Sequence, residues 1–220
     1  MKKINLLIIG ILLCALVLGT VVPATVAQKQ KDDAIQFPHV FSLNGISNEP
    51  ELQTGDIILI RLNSVVPKFW NLRYWTHSVI YIGDIGDGFN VVESSPLGGV
   101  EYSNLDANVG HCDNWAILRV FEDPHDADAA IAFAIDKKNQ DRPFDFQSLI
   151  LPRKQIDGLN SSAGFGYYCT ELVWASYFSG CGINLDDNNF SWINPLEIYY
   201  SNCIILRWAQ YPDLVPKLIH

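Results

Sequence analysis

Two side chains in this 220-residue sequence have the type and setting for nucleophilic chemistry, and a third could complete them. Cys169 sits where a glycine-rich approach, Gly164-Phe165-Gly166, gives way to the apolar run CTELVWASYF, which closes at Gly180. A thiol at a helix N-terminus meets unpaired backbone N–H groups and the positive end of the dipole, and both favour thiolate. Glu171 in the first turn suits the same dipole, although its charge partly opposes the thiolate. The glycines let backbone come close to a substrate, and an N–H beside Cys169 can hold an oxyanion. The competing reading is a core thiol, because free cysteines are among the most buried residues.

A nucleophilic thiol needs a base. Of the five histidines, His39 lies in a polar lead-in, His111 in a loop, His125 in an acidic first turn and His220 at the end. Only His77 opens a strand-like run, HSVIYIG, where a sheet would hold its ring. The base in turn needs a polar partner on its second ring nitrogen. Glu93 lies in FNVVESS, across the hairpin signal Asp87-Gly88 from His77. Antiparallel pairing can bring the two within reach, whereas the alternative for Glu93 is an edge-strand charge that discourages aggregation.

The elements that must position these residues read as strands first and helices later. Strands are expected over 57–62, 77–83, 89–95, 100–103, 115–121 and 203–208. A helix is expected from Asp123-Pro124 to about Lys138, with the aspartate as cap and proline at the first position. The Cys169 helix follows a loop-rich stretch, 141–168, and a short helix is expected from Pro195 to Tyr200. Hairpin connections and segregated helices indicate an α+β fold with an antiparallel sheet. The aromatic segment 64–76, with Trp70, Tyr74 and Trp75, either covers the core or lines a groove. The glycines of DIGDG lie between strands, which argues against a phosphate loop.

The N-terminus has the layout of a secretory signal: Lys2 and Lys3, an apolar run Ile4–Val22, and small residues to Ala27. Residues 1–27 are therefore expected to be removed or retained as an anchor, 28–50 to form a flexible lead-in, and 51–220 to be one domain. Without the two lysines the chain carries 13 basic and 24 acidic side chains, net −11. Such a charge argues against nucleic acid or an anionic membrane as the main partner. Cys112, Cys181 and Cys203 are the other cysteines of the expected mature chain, and Cys181 with Cys203 is the first candidate bridge. No zinc-type spacing is present, so no metal and no cofactor are expected.

The order GDIILIRL, WTHSVIYIG, VVESSPLGGVEY, RPFDFQS, YYCTELVWASY resembles the permuted papain-like cysteine hydrolases of the YiiX/YaeF type. These are relatives of NlpC-type cell-wall endopeptidases and of the lecithin:retinol acyltransferase group. The resemblance spans about residues 52–208, with the histidine strand before the cysteine helix as in the permuted branch. It implies a circularly permuted papain-like fold, an antiparallel sheet or partial barrel packed on the cysteine helix. It implies Cys169 as nucleophile, His77 as base and Glu93 as the residue orienting the base. Gly55-Asp56 matches the turn opening the first strand, and Phe144-Asp145 matches a Tyr-Asp pair. Ser78-Val79 and Phe144 depart from the family's usual residues, which bears on specificity.

The expected function is an exported thiol hydrolase acting on an amide in a peptide, a cell-envelope cross-link or an N-acyl conjugate. Trp75, Phe165, Gly166 and Tyr168 are the candidate substrate contacts. One alternative is acyl transfer or thioester cleavage by the same triad; another is a non-catalytic ligand-binding module on this scaffold.

Overall fold

The structure is a computed structural model, and it describes residues 52–62, 74–120, 124–150, 166–187 and 192–216. The expected signal segment and lead-in, together with Trp70 and Phe165, lie outside the described residues. Along the chain run β1 (Ile57–Arg61), β2 (His77–Tyr81), β3 (Val91–Ser95), β4 (Gly99–Ser103), α1 (Leu105–Val109) and β5 (Asn114–Val120). They are followed by α2 (Pro124–Asn139), α3 (Phe146–Ile150), α4 (Cys169–Cys181), α5 (Pro195–Tyr200) and β6 (Ile204–Ala209). All six expected strands are present. They form one antiparallel sheet in the order β4-β3-β2-β1-β5-β6. Among the described residues no helix is long and apolar enough to cross a membrane.

Both faces of the sheet are covered. Ile57, Leu59, Ile80, Val92, Val100 and Leu118 face the main core, with Leu172, Val173 and Tyr177 of α4 and Ala130 and Ala134 of α2. Ile58, Ile60, Val79, Val91, Trp115 and Ile117 face a smaller cluster, which α1 joins through Leu105. The two-residue side-chain period therefore sorts each strand's residues between two cores. β1 is apolar on both faces, which explains its unbroken IILI rather than an alternating pattern. α4 is buried from Thr170 to Tyr177, so its apolar character runs right round it rather than along one stripe.

Two short helices were not visible in sequence. α1 has only five residues, held by Asn104, whose side chain accepts from the Ala107 N–H at 2.9 Å. α3 lies within the expected loop region, and Asp145 caps it by accepting from the Gln147 and Ser148 N–H groups at 2.8 and 3.0 Å. Segments this short show no helical period.

The sheet has an opening where chemistry is possible. β3 and β4 pair at five positions, but β2 and β3 pair only at Ile80–Val92 and Tyr81–Val91. The next hydrogen-bonded rung in that register would join Ser78 to Ser94. The start of α4 occupies it instead: the Ser94 hydroxyl donates to Tyr167 O at 2.6 Å, and the Ser78 hydroxyl meets Thr170 Oγ1 at 3.5 Å.

Candidate active site

His77 and Glu93 lie on the same face of the sheet. His77 pairs with Ile60, a member of the smaller cluster, and Glu93 sits between Val92 and Ser94 with its side chain on that side. Extending the β2–β3 register sets Glu93 across from Val79, so His77 is its diagonal neighbour, within reach of long side chains. His77 Nε2 lies 2.5 Å from Glu93 Oε2. Both side chains are largely covered, at 14% and 8% exposure, so water screens the pair poorly. Nδ1 is then the ring nitrogen left for Cys169.

Cys169 arrives from the other side of the opened rung. The residues just before it form a parallel bridge between Phe144 and Tyr167. Tyr167 donates its N–H to Pro143 O at 3.1 Å, and Asp145 donates to Tyr167 O at 3.2 Å. Tyr168 opens α4, its N–H donating to Glu171 Oε2 at 3.4 Å. Its hydroxyl is fixed by Ile193, donating to the carbonyl at 3.0 Å and accepting from the N–H at 2.9 Å. These anchors hold the helix start without using the sulfur. Cys169 itself is half-buried, with Thr170 Oγ1 3.8 Å from its sulfur.

The electrostatics couple the three groups. Burial, the largest single effect on the Cys169 thiol, pushes it up. The His77 hydrogen bond and charge, the Thr170 hydroxyl and the Ser78 backbone N–H outweigh it, and the thiol sits below its ordinary value. That N–H is the one freed where the β2–β3 rung is missing. For His77, burial works against the imidazolium, but hydrogen bonds and charges from Cys169 and Glu93 carry it up to about 10. Burial likewise raises Glu93, and His77, the Ser103 hydroxyl and the Asn108 amide bring it down to about 2. The thiolate and the carboxylate thus each favour the imidazolium between them and are favoured by it, the arrangement that makes a thiol nucleophilic near neutral pH. Cys112 shows the contrast: burial and Asp113 push its thiol up to about 11, so it stays protonated.

Of the candidate substrate contacts, Phe165 lies outside the described residues and Trp75, Gly166 and Tyr168 are buried. Trp75 is fully buried, its ring edge-on to Tyr74 at 4.9 Å and tilted against Tyr199 at 5.8 Å, so it is core rather than groove wall. Tyr168 is 2% exposed and held by Ile193. Gly166 does permit a close approach, but to Pro143: an added Cβ would lie 1.7 Å from Pro143 O. Gly166→Ala must therefore push apart the bridge that delivers Cys169. We expect a stability loss of about 3 kcal/mol or more, read as a lower urea midpoint. A Gly166→Ala midpoint equal to wild type would show that the bridge tolerates displacement.

Cys181 and Cys203 do not form the expected bridge. None of the four described cysteines is in a disulfide, and Cys181 donates to Tyr177 O at 3.0 Å while Cys203 donates to Asn184 O at 3.7 Å. His111 is exposed in the loop after α1. Gly55-Asp56 and Phe144-Asp145 prove to be scaffold: Asp56 takes a two-pronged ion pair from Arg119, both contacts at 2.7 Å. Sequence reasoning missed Asn108, whose Nδ2 donates to Glu93 Oε1 at 3.1 Å.

Comparison with known proteins gives a consistent picture. A model of the permuted papain-like amidase enzymes, YaeF/YiiX, C92 family, matches residues 51–191. A solved structure described as the metalloprotein yiiX from Escherichia coli O157:H7 superposes with a TM-score of 0.55 at 18% identity. The match covers 73% of this chain and 98% of that one, and at such identity the likeness is one of fold. No curated protein matches. Among the described residues, no group of three or more His, Cys, Asp or Glu side chains is placed to hold a metal ion.

Proposed function

The chain belongs to the permuted papain-like amidase family, and from that premise we propose that it is an exported cysteine hydrolase acting on an amide through Cys169, His77 and Glu93. The observation that carries this reading is the His77–Glu93 contact at 2.5 Å, together with the downward pull of His77 on the Cys169 thiol.

In this mechanism the Cys169 thiolate attacks the amide carbonyl, forming a C–S bond and an oxyanion. Backbone N–H groups at the start of α4 stabilise the oxyanion, since the first N–H groups of a helix have no partner within it. His77, already protonated, gives its proton to the leaving nitrogen as the C–N bond breaks. Water then attacks the thioester, His77 takes the water's proton, and the acid leaves with Cys169 restored. Glu93 holds the imidazole in one orientation and stabilises its charge throughout. The peptide, cell-envelope and N-acyl amides remain the substrate classes to screen. Export rests on the N-terminal lysines and apolar run. The acyl-transfer alternative drew on a groove of Trp70, Tyr74, Trp75 and Phe165; Tyr74 and Trp75 are buried at 8% and 0% exposure, and the other two lie outside the described residues.

The test is the pH dependence of Cys169 alkylation by iodoacetamide, read on the labelled peptide by mass spectrometry. Wild type should titrate below the free thiol value of about 8.5, and His77→Ala should return the curve to that value or above. Curves that coincide would remove the ion pair and with it the proposed mechanism.

A further inference from the structure

We propose that Asn108 is a positioning residue for the catalytic set, fixing which oxygen of Glu93 faces the imidazole. The inference rests on the thiol-hydrolase reading above. Glu93 uses Oε2 for His77, and its other oxygen, Oε1, accepts from Asn108 Nδ2 at 3.1 Å. The same amide nitrogen lies 2.9 Å from Ser103 Oγ and 3.2 Å from Asn104 O, so it is tied to α1 and to the end of β4. Ser103 also hydrogen-bonds Glu93. The carboxylate is thus held from three elements: β2 through His77, β4 through Ser103 and α1 through Asn108.

The need for such a clamp follows from the neighbours. Glu101 on β4 is the direct cross-strand partner of Glu93, and two carboxylates at that spacing repel. The Glu101 carboxylate is drawn off by the Ser95 hydroxyl at the turn. Asp106 on α1 is exposed, the buried Glu171 in the first turn of α4 accepts from the Tyr168 N–H, and the charges acting on His77 are those of Cys169 and Glu93. Donors on Oε1 also favour the ionised carboxylate. Without them Glu93 is free to turn toward solvent, and the buried ring loses part of what keeps it protonated. A five-residue helix would in this way set the state of the thiol.

The experiment compares Cys169 alkylation against pH in wild type, Asn108→Ala, Ser103→Ala and His77→Ala, with thermal unfolding alongside. Asn108→Ala should alkylate about tenfold more slowly at pH 6, the size of one charge-assisted hydrogen bond. Its curve should move to higher pH, and Ser103→Ala should move it the same way by less. A purely structural role would lower the melting temperature and leave the curve in place. Asn108→Ala and Ser103→Ala curves lying on wild type, with His77→Ala displaced, would overturn this inference alone. A His77→Ala curve also lying on wild type would overturn the underlying mechanism as well.

Discussion

Cys169→Ala should reduce amide turnover by at least about 10⁴-fold, because a covalent route has no substitute once its nucleophile is gone. The fold should survive the change. The start of α4 is fixed by Tyr168, Glu171 and Ile193, and alanine keeps the Cβ of a half-buried residue. Cys169→Ser is expected to fare little better: a hydroxyl does not ionise beside an imidazolium as a thiol does, so the ion pair that readies the sulfur is lost. The measurement is steady-state hydrolysis on a substrate found by screening peptide and N-acyl amides, with circular dichroism confirming the fold. Residual turnover within tenfold of wild type would place the nucleophile elsewhere.

The second large effect is expected at Glu93. Glu93→Ala leaves His77 buried without its carboxylate, and burial then dominates and favours neutral imidazole. The thiolate fraction falls, and kcat/KM should drop by about 10²- to 10³-fold near neutral pH. Stability gives an independent readout. Glu93 is held at about 2 in the folded protein against 4.5 ordinarily, so its contribution is present above pH 4.5 and is lost as pH falls toward 2. By linkage that is about 3 kcal/mol. Wild type should therefore lose melting temperature more steeply between pH 4.5 and 2 than Glu93→Ala does. Parallel acid limbs would mean that the carboxylate is not held in its charged form.

Much of this arrangement was legible in the residues. The six strands announce themselves through short apolar runs punctuated by Gly, Pro and Asp-Gly turns. The Asp87-Gly88 hairpin, with Asp87 and Gly88 both at positive φ, was enough to bring Glu93 beside His77. What stayed hidden has physical causes. Trp75, Tyr168 and Gly166 looked like groove residues because an aromatic or glycine in a line of sequence does not reveal which way it faces. Asn108 escaped notice because a five-residue helix leaves no periodic trace. The Ser78 N–H is a backbone group, and no side chain announces it; only the missing β2–β3 rung shows what it serves.

That missing rung has a consequence in time. Ser78 and Thr170 meet across 92 positions of chain, so the sulfur's surroundings cannot exist until the sheet and α4 have come together. Until then Cys169 is an ordinary thiol, mostly protonated at neutral pH and no more reactive than the chain's other four cysteines. A chain still emerging from synthesis would therefore be chemically quiet toward amides and electrophiles around it. Its reactivity would switch on only with completion of the native state, which makes the rate of Cys169 labelling a clock for folding as well as a measure of catalysis.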